Sequence, residues 1–245
     1  MERPKRTIIT LFLFLTAIVY GEDFNAEIYK AYISGNMQRW KEITDRFQTA
    51  KPTDGTGLAR LVNYQYGYIG WCIGTGRNEE AKKYLELAEK NLKTLEKNKA
   101  YLSLVRSYES AFYGYRIGMN KMLAPVLGLK SIDAAKEAIG LDDKNPMAWV
   151  QYGNIRFYTP QIFGGSKQEA LEYYLKALNL MERNNGNNTG DWNYMHLLTL
   201  VARAYTYVGD YTSSLKFVDR ILAIEPEFKW VKDELYPEIM KKMQN

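Results

Sequence analysis

The stretch PMAWVQYGNIRFYTPQIFGGSKQEALEYYLKALNLM, residues 146–181, decides how this chain is read. It holds two helical patterns separated by a turn at Gly164-Gly165. Trp149, Tyr152 and Gly153 fall in the first pattern, and Ala170, Tyr174 and Ala177 in the second. Small residues at Gly153, Ala170 and Ala177 let two antiparallel helices approach closely, and the aromatics Trp149 and Tyr174 fill the remaining holes. Pro146 suits a first helical turn, where its missing N–H costs nothing. A single helix pair cannot bury its own apolar face, so the stretch implies neighbours built on the same plan.

Those neighbours recur along the chain. In residues 191–226, Ala202 precedes a turn at Gly209-Asp210-Tyr211, with Ser214 12 residues beyond Ala202 and Pro226 closing the unit. Gly76 opens another turn, followed by Ala81, Leu85 and Ala88. Tyr113-Gly114 matches Tyr152-Gly153, and Ala138 is its second-helix alanine. The spacing from Gly114 to Ser131 is 17, as is that from Gly153 to Ala170. Both exceed the spacing of 12 by the same five residues.

The positions W-x-x-Y-G and A-x-x-x-Y-x-x-A resemble the tetratricopeptide repeat across residues 58–226. Departures are Asp143 where a closing proline is expected, Arg156 in place of a packing aromatic, and the two long connections. The resemblance implies an all-α, right-handed superhelical stack of antiparallel helix pairs, a tetratricopeptide-like solenoid with a C-terminal capping helix. The expected pairs lie near 24–49, 58–97, 99–141, 146–183 and 191–224, with a cap over 229–243. In the third pair, a loop holding Pro125 and Gly128 is expected before a helix at 130–141. In the cap, Trp230, Leu235 and Ile239 are read as inward.

With its leader, YGYRIG, and the P-x-x-x-G-G loop at Pro160 to Gly165, the chain also resembles exported bacterial repeat proteins. Among these it is similar to the periplasmic repeat subunit associated with tripartite ATP-independent (TRAP) transporters. That likeness implies a ligand-binding subunit that assembles into a ring and works beside a solute-binding protein.

Residues 1–21 read as a signal peptide. Arg3, Lys5 and Arg6 precede an apolar run from Thr7 to Tyr20, and Val19 and Gly21 offer a cleavage site before Glu22. The run is short for a bilayer span, and no cysteine follows it to take a lipid. The mature part, residues 22–245, is then an exported repeat domain with no membrane span, periplasmic if the source is bacterial. The net charge of +5 falls to +3 once the leader's three bases and one acid are removed, which gives no reason to invoke nucleic acid. The apolar fraction of 46% is that of a folded protein.

Chemistry has few carriers. There is one histidine, His196, and one cysteine, Cys72, so no metal site is expected. Cys72 sits in the apolar run YGYIGWCIG and reads as a buried small hydrophobe. Gly164-Gly165 is no phosphate loop, since Ser166-Lys167 stand in the wrong order for one. Glu79-Glu80 suit a helix start and Asp142-Asp143 a turn. Asn187-Asn188-Thr189 fits a glycosylation acceptor. No cofactor and no catalysis are expected.

What remains is the concave face. The first helix of each pair lines it, and such surfaces bind. Its expected residues are Tyr68, Tyr115, Asn154 and Arg203 one past the close-contact position, Tyr158 and Tyr207 one turn further, and His196 near a helix start. This set offers stacking faces, amide and guanidinium donors, and no carboxylate. Its expected partners are a protein or peptide or, in the alternative, a small anionic or amphipathic ligand. An open groove favours the first and a deep pocket the second. The tyrosines have an equal claim to be packing, whereas Asn154 and Arg203 need polar partners on apolar helices. For Arg203 the structural rivals are Glu172 and Glu234. If the leader is read correctly, N-terminal sequencing of the exported protein should begin at Glu22 or within a few residues of it. A soluble exported chain still carrying Met1 would refute the reading.

Overall fold

The computed structural model describes residues 23–184 and 188–244. The proposed leader lies outside the described residues, as does Asn187. Among the described residues eleven α-helices follow one another: α1 Phe24–Ser34, α2 Met37–Ala50, α3 Gly55–Gly74, α4 Asn78–Leu95, α5 Leu102–Met119, α6 Ala124–Leu141, α7 Pro146–Tyr158, α8 Lys167–Asn184, α9 Trp192–Val208, α10 Tyr211–Ile224 and α11 Tyr236–Met243. No strand occurs among the described residues. The starts are written in the sequence. Asp23, Asn36, Asp54, Asn145, Asp191 and Asp210 each accept a backbone N–H of the following first turn. Gly35 and Gly209 end helices in the left-handed conformation, where a side chain is strained.

The helices pack as pairs, α1 with α2 through α9 with α10. The first helices of successive pairs also touch, α3 against α5 and α5 against α7. This is an all-α helical repeat fold. The close approaches fall at the small residues. A Cβ on Gly153 would meet the Tyr174 ring at 2.6 Å, and Ala170 and Ala177 are fully buried. In the third pair Ser110 and Ser131 each donate to the other's carbonyl, at 2.8 and 2.9 Å. In the fifth, Ser214 Oγ donates to the Ala202 carbonyl at 2.8 Å.

The stack does not stay open. Trp192 at the start of α9 packs edge-on against Trp40 of α2 and Tyr32 of α1, with ring centroids 4.9 and 5.7 Å apart. Its indole N–H donates to Asn63 of α3 at 2.8 Å. Tyr29 of α1 donates to Glu225 beyond α10 at 2.7 Å. The first and last pairs therefore meet, and one connected core runs through both.

Three expectations change. Pro125 and Gly128 are not in a loop. Helix α6 begins at Ala124, because proline is tolerated in a first turn, and only Asn120 to Leu123 link it to α5. The two five-residue excesses thus have different forms: extra helical turns in α6, and a true connection, Thr159 to Ser166, in the fourth pair. In the cap the inward stripe is Phe228, Val231, Leu235 and Ile239, all fully buried, while Trp230 is half-buried and donates to Glu234. A π-turn over Val231–Leu235 lies just ahead of Pro237, whose missing donor it accommodates, and Trp230 precedes it, off the three- and four-residue spacing of the buried stripe. Finally, Trp149 lies on the outer side, stacked on Tyr173 with its N–H on the Asp143 carbonyl. Only Tyr174 fills the pair's interior. Overpacking this interior should show: Gly153→Ala and Ala177→Leu should each cost ~1–3 kcal/mol in urea unfolding, and midpoints matching the parent's would refute the assigned contact.

Candidate functional site

The first helices run parallel, so their starts gather at one end of the stack and their finishes at the other. The starts of α3, α5, α7 and α9 border a cleft of about 760 Å³. Most of its polar walls are already satisfied. Asn63 donates to Tyr108 and to Asn193 at 2.8 Å each, and accepts from Trp192. Asn145 and Asp191 cap their own helices. Arg60 is the exception, with a buried Nε that finds no acceptor and a guanidinium 5.5 Å from the Phe47 ring centroid.

The middle of the inner face is filled by aromatics. Tyr66 stacks on Tyr115 at 5.5 Å and touches Tyr108 and Trp192. Tyr115 donates to the Tyr66 carbonyl at 3.1 Å, and a Cβ on Gly70 would meet its hydroxyl at 2.8 Å. Tyr115 is therefore spent on packing α5 against α3, and burial pushes its phenol well above the usual range. Tyr68 is not on the inner face at all. It points at α4, its ring 4.7 Å from Tyr84 and its hydroxyl donating to Glu80 at 2.9 Å. Helix α3 is turned by one position relative to α7: Gly67 faces Trp40 and Trp192, where a Cβ would clash at 2.5 and 2.9 Å, and Tyr66 takes the inward place.

His196 lies in the cleft wall. Its Nδ1 is 3.1 Å from the Tyr32 hydroxyl, and its ring lies beside Trp192. Burial, with Arg203 adding, lowers it to about 4, so it is neutral near pH 7. Asn154 is committed internally: it donates to Gln151 at 3.0 Å and accepts from Tyr174 at 2.8 Å.

The opposite end of the stack brings the other three expected residues together. At the finishes of α7 and α9, Arg203 lies 5.9 Å from the Phe157 ring centroid, close to Tyr158 and Tyr207. Tyr207 stands edge-on to Phe157 at 5.2 Å. Two cations absent from the expected set join them. Lys167 sits over Phe157 at 3.9 Å and over Tyr207 at 5.4 Å, donating also to the Phe157 carbonyl. Lys242 of α11 lies over Tyr207 at 4.4 Å. Burial lowers Lys167, and Arg203 lowers it further. Among the described residues none of the three cations makes an ion pair. Neither Glu172 nor Glu234 pairs with Arg203, whose Nε is buried without an acceptor. The nearby carboxylate that acts on it is Glu238. Lys167 carried one signal in the sequence: it opens α8, where the helix dipole disfavours a cation. Lys242 carried none, since lysine is ordinary in a last turn.

Cys72 is fully buried and its thiol is pushed up to about 11 by burial, with Glu80 adding, which makes it unreactive. Among the described residues, no group of three histidine, cysteine, aspartate or glutamate side chains gathers as a metal ligand set.

Comparison with known proteins agrees at the level of fold. No family model matches the chain, and no curated protein matches it. Among solved structures it is similar to the HusA haemophore from Porphyromonas gingivalis. The TM-score is 0.62 at 20% identity, over 77% of this chain and 94% of that one. It aligns more loosely with the APC/C hetero-tetramer Cut9–Hcn1, at TM-score 0.36 and 12% identity, over 84% of this chain and 40% of that one.

The His196 environment sets a pH dependence. Its folded-state value lies below that of an unfolded histidine, so the unfolded chain takes up the proton first as pH falls. This contribution to stability is intact above about pH 6.5 and is lost between there and about 4. Between those pH values the parent should lose about 2.5 kcal/mol more than His196→Gln in urea unfolding. Parallel pH profiles would contradict the burial of the neutral ring.

Proposed function

We propose that this chain is a non-catalytic binding protein that holds an amphipathic ligand, an apolar body bearing carboxylates, at the corner formed by Arg203, Lys167 and Lys242. The observation that carries the reading is the pairing state of that corner. Three cations rest on the faces of Phe157 and Tyr207 without one ion pair among them, and the Arg203 Nε is buried without an acceptor. An uncompensated buried donor is costly. A carboxylate arriving there would take two parallel N–H donors from Arg203, while Tyr158 and Tyr207 lend apolar faces.

A peptide lying along the inner groove is the weaker reading, because Tyr66, Tyr115 and Trp192 occupy that face. The transport-accessory reading draws no support from the geometry or from either structural neighbour. The HusA neighbour is named as a haemophore, and a tetrapyrrole dicarboxylate has the chemistry this corner suits. Haem is therefore the first ligand to test. Export by the leader would place the corner outside the cytoplasm.

The test is an absorbance titration with haem. The parent should saturate with a shifted Soret band, and Arg203→Ala should keep its fold but bind ~1.5–3 kcal/mol more weakly. Lost thermal stability with unchanged binding would assign Arg203 to the scaffold. No uptake by the parent would remove the ligand class.

A further inference from the structure

The short α5–α6 link with the first turns of α6, and the Thr159 to Ser166 connection, play no part in the binding corner. They follow α5 and α7, neighbouring parallel helices, and so project from the same end of the stack. The first presents Met122, Val126 and Leu129, which are 86%, 62% and 67% exposed. The second presents Ile162 and Phe163, 84% and 74% exposed. These are among the most exposed large apolar side chains of the described residues, and such exposure at one end of the stack marks an interaction site. Val126 and Leu129, three positions apart, share one side of the α6 start, and Met122 stands in the short 3-10 turn just before it.

The segments themselves carry bases and no acid, the nearest acids in sequence being Asp133, exposed one turn beyond Lys130, and Glu169, which pairs with Arg156. No acid occurs from Ser110 to Ile132 or from Lys144 to Gln168. Lys121 and Lys130, both exposed, bracket the first tip. The shorter turn between α3 and α4 does carry acids, but Glu80 accepts from Tyr68 and Glu79 pairs with Lys82. Asp210, in the turn after α9, caps α10. No helix among the described residues is long and apolar enough to cross a membrane.

We propose that these two tips form a docking edge for an anionic lipid surface. The apolar residues dip into the boundary between headgroups and acyl chains, and Lys121 and Lys130 meet lipid phosphates. The assignment uses none of Arg203, Lys167, Lys242, Tyr158 or Tyr207, although Tyr158 and Lys167 flank the second tip.

Vesicle sedimentation tests it, using residues 22–245 so that the leader cannot itself enter the lipid; the described core lies within that span. The protein should sediment with vesicles of equal parts phosphatidylglycerol and phosphatidylcholine, less with pure phosphatidylcholine, and less as salt rises. Val126→Asp/Ile162→Asp should bind about tenfold more weakly or worse, with an unchanged circular dichroism spectrum. Phe163→Ser, a milder change at an exposed site, should weaken binding in the same direction. Lys121→Ala/Lys130→Ala should reduce binding to the anionic vesicles only. The proposal fails if the parent stays in the supernatant with every vesicle, or if the aspartate variant binds like the parent. It also fails if the parent self-associates without lipid and the aspartate variant abolishes that, which would assign the tips to a second copy of the chain.

Discussion

Trp192 is the contact on which the shape of this protein depends. It stands at the first position of α9, yet its partners are Trp40, Tyr32 and Asn63, at the other end of the chain. The contact is possible because Gly67 leaves no side chain where the two indoles meet. Stacked helix pairs ordinarily leave an apolar face at each end, which a terminal cap must cover. Here the first pair covers part of the last, and Phe228, Val231, Leu235 and Ile239 of the terminal segment cover the rest. Aromatic side chains of this size contribute more to a core than any other residue type.

Closure fills the face that an open repeat stack would expose. In an open repeat stack the inner faces of the first helices form a continuous groove. Here Tyr66, Tyr108, Tyr115 and Trp192 occupy it, and the hydroxyls and amides among them bond to one another. Unsatisfied donors are displaced to the two ends. One end holds Arg60 beside the cleft, and the other holds Arg203 with two lysines. The second has three cations without ion pairs, while the cleft's remaining polar groups are largely matched. The difference in pairing, more than in volume, favours the α7–α9 corner.

The sequence was informative where contacts are local. Gly153, Ala170, Tyr174 and Ala177 are spaced by helix geometry, and their contacts lie within one pair, so spacing alone reached them. The helix starts were legible for the same reason, since Asn145 and Asp191 cap residues two positions on. Rotation of a helix about its axis was not legible. One position in a helix is about 100°, and that angle moved Tyr68 from the inner face to a contact with Tyr84 and Glu80. Proline misled at Pro125, where a first turn accepted it. The Trp192–Asn63 bond spans 129 residues, and no local pattern encodes it. At the corner, Arg203, Tyr158 and Tyr207 were reachable from repeat positions because α7 and α9 keep the common register. Lys242 comes from the cap, which has no repeat position to read.

Native-state hydrogen exchange on α1 and α2 tests the closure most directly. A terminal pair in an open stack opens on its own, at a lower free energy than the interior. The account predicts that the slowest amides of α1 and α2 exchange with the same opening free energy as those of α3 and α9, because Trp192 ties all four helices together. Independent, lower-energy opening of α1 and α2 while α3 and α9 stay protected would contradict it.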